Sequence, residues 1–289
     1  MSQALLDHFS SLSDPRQSWK VLYPLPEILL VILCATMSGA DDFVEIEQWG
    51  KTKIDFLRRF FPFTNGIPSH DTLNDVMNAL PREVFSDCFV SWVSSLRDFD
   101  FDIVSIDGKT SRRAHNRDKG QNPLHMVSAW ASRQRLVIGQ VACKEKSNEI
   151  TAIPELLAQL ELKGALVTID AMGCQTQIAK SIREKEADYL LALKKNWPLL
   201  YDEVALFFKN AQEEHLQQHE TIDNGHGKKI IRRHTVCHDV QWLLSNKRFP
   251  GEWKFQDLSM VAMVEAIVEH KGETTSECRY YISSATLSA

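Results

Sequence analysis

The chain has no CxxC pair; its six cysteines, Cys34, Cys88, Cys143, Cys174, Cys237 and Cys278, are scattered. That excludes a zinc ribbon and gives no disulfide framework, and it suits a reduced cytoplasmic protein. No signal peptide is legible at the start, where Met1 to Ser13 is polar and mixed. There is no apolar run long enough to span a bilayer: Ile28 to Ala40 is too short and reads as a buried helix. Net positive charge is also missing. At −5 overall, any contact with nucleic acid must come from local basic stripes. No Gly-rich phosphate loop is present. Gly108-Lys109-Thr110 lacks the earlier glycine of a P-loop and the later ones of a dinucleotide fingerprint. Repeats and low-complexity tracts are absent too.

What remains is ordinary globular material, 289 residues with 44% apolar and 25% charged side chains, enough for one large or two ordinary domains. Two stretches stand out. Ile103-Val104-Ser105-Ile106 ends in Asp107-Gly108, and Ala165-Leu166-Val167-Thr168-Ile169 ends in Asp170-Ala171. Each reads as a buried strand that delivers a carboxylate to its C-terminal edge. Taken alone, either acid reads as a turn residue. Together, on neighbouring parallel strands, they would form an oxygen-ligand pair of the kind that holds Mg²⁺.

The N-terminal third reads as helical. One helix follows Pro26, a second covers Phe43 to Phe60, a third follows an N-cap at Ser69, and a fourth follows Pro81. Short helices with tight turns fit a small bundle as well as a DNA-binding module. Composition shifts at Arg97 to Asp102, where acids alternate with Phe99 and Phe101. A domain boundary is expected there, giving 1–98 and 99–289. Beyond it come three strands, Ile103–Ile106, His125–Ala131 and Leu136–Lys144, and then a helix from about Ser147 to Leu160. Strand Ala165–Ile169, a helix over Gln175–Glu186, strand Tyr189–Leu193 and a helix from Pro198 follow. That order predicts an α/β, ribonuclease H-like mixed sheet with flanking helices. The crossover helix brings the fourth strand parallel to the first and sets Asp107 beside Asp170. Further strands are expected at His234–Cys237, Met260–Val268 and Arg279–Ile282, the second of these also fitting a buried helix.

Basic residues cluster at three places. Lys109, Arg112, Arg113, Arg117 and Lys119 follow Asp107; Lys194-Lys195-Asn196 closes the fifth strand; His226, Lys228, Lys229, Arg232, Arg233 and His234 follow a hairpin signal at Asn224-Gly225. Each reads either as a solvated surface or as a phosphate contact.

Several strings carry a family likeness. Ile106-Asp107-Gly108-Lys109-Thr110, Lys146-Ser147-Asn148-Glu149-Ile150, Thr168-Ile169-Asp170-Ala171-Met172-Gly173-Cys174-Gln175 and Leu191-Ala192-Leu193-Lys194 resemble the H-repeat-associated, DDE-type transposases of bacterial insertion sequences. Asp14-Pro15-Arg16 and Ile67-Pro68-Ser69-His70-Asp71-Thr72 are similar to the helical domain that precedes catalysis in that family. The resemblance implies a DNA transposase: metal-dependent strand cleavage and transfer on insertion-sequence ends and target DNA. Asp107 and Asp170 match its first two catalytic acids, which would hold Mg²⁺ or Mn²⁺. Lys109, Arg112, Arg113, Lys194, His226, Lys228 and Arg232 are the expected DNA contacts. A homo-oligomer on DNA is left open.

Departures are visible as well. Trp197 stands where the family usually has Gln, and His226-Gly227-Lys228 replaces its His-Gly-Arg. The family's third acid lies in a His-Trp-x-x-Glu-Asn setting, and no such string occurs before Ala289. A C-terminally truncated enzyme lacking the third acid is therefore the expectation. Glu149 is the nearest other acid in a family-like string, and it also reads as an ordinary first-turn residue of a helix. The rival is a non-catalytic DNA-binding remnant, and a third reading is a nuclease that never transposes.

Overall fold

The structure, a computed structural model, describes residues 7–9, 11–95, 103–110, 125–143, 149–212, 214, 216–225, 228–244, 255–270 and 273–289. The chain divides into two compact units, Met1–Arg97 and Asp98–Ala289.

The first unit is helical. Helix α1, Leu25–Met37, starts on Pro24 and buries Leu25, Ile28, Leu30, Val31 and Ala35. The expected helix over Phe43 to Phe60 is split into α2, Phe43–Thr52, and α3, Ile54–Leu57, by a non-helical Lys53. Gly50 and Thr52 weaken the helix there. The Thr52 hydroxyl also bonds back to the Gln48 carbonyl at 2.9 Å, a bond that bends helices. Gly50 is needed for the crossing with α1, because a Cβ would lie 2.7 Å from Val31 Cγ2. Helix α4, His70–Ala79, is capped by Ser69, and α5 spans Arg82–Ser95. Their apolar faces close on Leu57, Phe63, Leu73, Val76 and Cys88. The Asp14-Pro15-Arg16 turn is closed by its own ion pair: Arg16 Nη2 donates to Asp14 Oδ2 at 2.6 Å and to the Tyr23 carbonyl at 2.8 Å. That guanidinium holds the Asp14 carboxyl below its ordinary range.

The second unit is a mixed α/β domain of the ribonuclease H-like class. Strands β1 (Ile103–Thr110), β2 (His125–Ala131) and β3 (Leu136–Cys143) form an antiparallel meander. Helix α6, Glu149–Gln159, crosses over to β4, Leu166–Ile169. Helix α7, Thr176–Glu184, leads to β5, Asp188–Leu193, and α8, Pro198–Asn210, follows. Next come β6 (Gln217–Gly225), β7 (Lys228–Cys237), the short α9 (Gln241–Leu244), β8 (Met260–His270) and β9 (Glu273–Ser283). The segment Met260–His270 is a strand, so the buried-helix alternative falls. One continuous sheet results, ordered β3-β2-β1-β4-β5-β9-β8-β7-β6. Register Gly225↔Lys228 keeps Asn224 and Gly225 inside the ladder. Asn224 and Gly225 are therefore strand residues, not the turn that the Asn-Gly signal suggested.

The sheet has two unequal faces. Val104, Ile106, Val127, Ala129, Val167, Ile169, Tyr189, Leu191 and Leu193 point to the back face and are buried. Helices α6, α7 and α8 pack there. Helix α6 lies on β2 and β3, α7 on α6 and β5, and α8 on Tyr280 through Tyr201 and Phe208. Their alternating neighbours Ser105, Thr168, Leu190 and Ala192 point to the front and are only half-buried.

Candidate active site at the edge of the parallel strands

Strands β1 and β4 are parallel, with Ile106 opposite Ile169. The next residue on each strand is Asp107 and Asp170. Asp170 lies just past the C-terminal end of β4, whereas Asp107 sits inside β1, which runs on to Thr110 rather than ending at Ile106 as the sequence suggested. The two stand where the β1–β4 pairing ends, about 4.8 Å apart in the ladder direction, and on the front face. They line one cleft of about 840 Å³ with Ser105, Thr168, Lys194 and Arg279. Its floor is tied by a hydrogen bond from Thr168 Oγ1 to Ser105 Oγ at 3.0 Å. Asp170 Oδ1 also accepts from the Met172 N–H at 3.0 Å and caps the 3₁₀ turn Ala171–Gly173. The turn role and the site role thus fall on the same residue.

That turn is anchored from the connection between β5 and α8. Asn196 Nδ2 donates to the Ala171 carbonyl at 2.7 Å, and Trp197 Nε1 donates to the Cys174 carbonyl at 2.6 Å. The Trp197 indole N–H is the donor of that second tie. Burial pushes the Cys174 thiol up to about 12, so it is an inert packing residue. Neither anchor was legible in the sequence, where the Lys-Lys-Asn run read only as charge.

The basic residues are placed unevenly. Lys109 lies two residues past Asp107 in β1, on the same face, and Lys194 lines the cleft. Arg112, Arg113 and His226 lie outside the described residues. Following the register from β5 through β9 and β8 puts Arg232 and Lys228 on the front face too. However, β7 is five strands from β1, about 24 Å at the usual spacing. Arg232 is also engaged by Asp223, and Arg233 by Glu220 at 2.8 Å. The hairpin that reads as a basic stripe in the sequence is thus cross-linked by its own carboxylates. Two cleft residues were missed: Arg279 and Glu277, paired at 3.1 Å. Their alternation in β9 placed them on one face, but nothing local told that β9 inserts beside β5.

Glu149 is not available to the pair. It opens α6 on the back face, is 6% exposed, and bonds His125 Nε2 at 2.7 Å. This corrects the notion that it could complete the acidic cluster; its first-turn position is as expected. Among the described residues, no group of three or more His, Cys, Asp or Glu is arranged to hold a metal, and no helix is long and apolar enough to cross a membrane.

The chain matches the family described as Transposase DDE domain over residues 92–289, and the DDE_Tnp_1-associated family over residues 6–93. It is 40% identical over 291 residues to "H repeat-associated putative transposase YhhI" of Escherichia coli K12, covering 99% of this chain and 76% of that one. It is 39% identical over 291 residues to "Putative protein YbfL" of the same organism, with the same coverage. To "Uncharacterized protein in dhlA 3'region" of Xanthobacter autotrophicus it is 39% identical over 283 residues, 96% of this chain and 93% of that one. With two aspartates side by side where the parallel β1–β4 pairing ends, and matches spanning nearly its whole length, the chain belongs to the DDE transposase family.

Proposed function

We propose that the chain acts in DNA transposition, cutting and joining strands with Asp107 and Asp170 as the acids that hold Mg²⁺ or Mn²⁺. The observation that carries this reading is the parallel pairing whose end brings both carboxylates side by side into one cleft. The donor set fits the ion: carboxylate oxygens only, and Mg²⁺ is commonly bound through one or two carboxylates plus substrate phosphates. When bound, such an ion polarises a phosphate oxygen and lowers the pKa of a water or hydroxyl nucleophile.

The chain's own residues do the rest. Asp107 and Asp170 would hold the ion and so set where a phosphate can be bound. Lys109 and Lys194, flanking them on the same face, neutralise neighbouring phosphates of the DNA backbone. Arg112 and Arg113, which follow Lys109 in sequence, extend that contact; Lys228 and Arg232 meet the duplex farther along the sheet, and His226, two residues before Lys228 in sequence, is assigned to the same contact. The reading places the protein in the cytoplasm, with its DNA.

A second reading, DNA binding without catalysis, is favoured by one observation: among the described residues no third carboxylate joins the pair in a metal-holding group. One experiment separates the two. Supercoiled plasmid carrying insertion-sequence ends is incubated with the protein and Mg²⁺ or Mn²⁺, with binding measured in parallel by mobility shift. Transposase chemistry gives metal-dependent nicking and joined products that vanish in Asp107→Asn and Asp170→Asn. The binding-only reading gives a shift with no metal-dependent product.

A further inference from the structure

Strand β1 outruns its partner. Its pairing with β4 ends at Ile106↔Ile169, while its pairing with β2 continues to Thr110↔His125. Asp107, Gly108, Lys109 and Thr110 are therefore held in the sheet from one side only. A one-sided strand end frays more readily than a central one, yet Asp107 must keep its place against Asp170 for the pair to act together.

The back face supplies a second support. His125, 2% exposed, bonds Glu149 Oε1 through Nε2 at 2.7 Å and the Thr110 hydroxyl through Nδ1 at 2.8 Å. One ring tautomer satisfies both contacts, with Nε2–H donating to the carboxylate and Nδ1 accepting from the Thr110 hydroxyl. Gly108 fits directly against this array. A Cβ there would lie 2.5 Å from Glu149 Oε1 and 2.8 Å from His125 Nε2. The first turn of α6 and the start of β2 thus close on the backbone immediately after Asp107. Burying a carboxylate is costly unless it is paired, and an apolar pair would fill the same space. A charged–polar array at this spot fixes one geometry where apolar packing would tolerate several.

We propose that His125 and Glu149 are positioning residues: they clamp the free end of β1 from behind and so hold Asp107 in register with Asp170. The metal part of this proposal rests on the reading given under Proposed function; the clamp itself does not. Partners standing behind a metal ligand typically set affinity by about 10–100-fold.

The test uses the full chain and two readouts, Mn²⁺ affinity by titration calorimetry and hydrogen exchange of the amides from Asp107 to Thr110 without metal. The variants are His125→Ala, Glu149→Ala, Glu149→Gln and Thr110→Val, with circular dichroism as the folding control. Thr110 is exposed, so its variant keeps the fold even where His125→Ala does not. His125→Ala and Glu149→Ala should weaken Mn²⁺ binding about tenfold and speed exchange at the β1 end. Glu149→Gln, which keeps a hydrogen-bonding group, should recover most of both. Thr110→Val should show a smaller loss of the same kind. Folded variants with unchanged exchange and unchanged Mn²⁺ affinity would overturn the clamp. Altered exchange with unchanged affinity would reduce the pair to a structural brace and overturn its positioning role. If the wild-type chain takes up no Mn²⁺, the metal reading fails by itself, and exchange alone decides the clamp.

Discussion

Asn196 donates its side-chain amide to the Ala171 carbonyl at 2.7 Å, tying the end of β5 to the turn that begins at Asp170. Trp197 repeats the tie one residue on, to Cys174, while its ring packs edge-on against Phe255 at 5.5 Å. Trp197→Phe keeps most of the ring packing but removes the N–H donor to the Cys174 carbonyl. The expected cost is about 1–3 kcal/mol in urea unfolding. Asn196→Ala should cost about 1 kcal/mol and also lower Mn²⁺ affinity, because the turn carries Asp170. Unchanged unfolding midpoints in both variants would show that the ties add nothing.

Gly173 closes the same turn. A Cβ there would lie 2.3 Å from Ile169 Cγ2 and 3.2 Å from Ile153 Cδ1. Gly173→Ala should therefore destabilise the domain by about 1–3 kcal/mol through overpacking, read as a lower Tm. A neutral substitution would mean that Ile169 can move aside without cost.

Phosphate contact predicts how affinity depends on salt. The slope of log K against log salt should fall by about 0.9 for each phosphate contact removed. Lys194→Ala should show this loss for any DNA sequence, and the pair Arg112→Ala and Arg113→Ala should show more. Arg232→Ala should change the slope less, because Asp223 already engages the guanidinium. Equal slopes in the Lys194 variant and the wild type would exclude it from the DNA path.

The helical unit carries a pH-sensitive ion cluster. Glu47 accepts from Lys51, from the His70 ring at 2.7 Å and from the His70 N–H at 2.7 Å, which caps the start of α4. Lys51, then His70, pull the Glu47 carboxyl down to about 2 from an ordinary 4.5, and Glu47 pulls the His70 pKa up from 6.5. The sign follows for each group. The Glu47 contribution is present above about 4.5 and is lost as pH falls toward 2; the His70 contribution is present below 6.5 and is lost as pH rises through its raised folded value. The stability gap between wild type and Glu47→Gln should be widest from about pH 4.5 to 6.5 and narrow on both sides. Being on the surface, the cluster should contribute a small effect. A gap independent of pH would place the Glu47 effect in helix capping alone.

Much of this architecture was written locally. Two β-branched runs followed by Asp announced β1 and β4, although β1 runs on past Ile106 to Thr110, and the strand–helix alternation between them announced the crossover that makes those strands parallel. The His125–Glu149 bond was not legible, because the partners lie 24 residues apart and meet only once α6 packs on the sheet. The insertion of β9 beside β5 was equally hidden: it joins Leu193 to Tyr280 across 87 positions. Charge counting could not show that the β7 arginines are engaged, since the carboxylates that meet them stand on the neighbouring strands β6 and β8.

The central question is whether Asp107 and Asp170 act as one site. Mn²⁺ titration of the wild-type chain, Asp107→Asn and Asp170→Asn measures this directly. The account predicts that the wild type binds and that either single substitution abolishes binding while circular dichroism stays native. Wild-type affinity retained in both variants would contradict it.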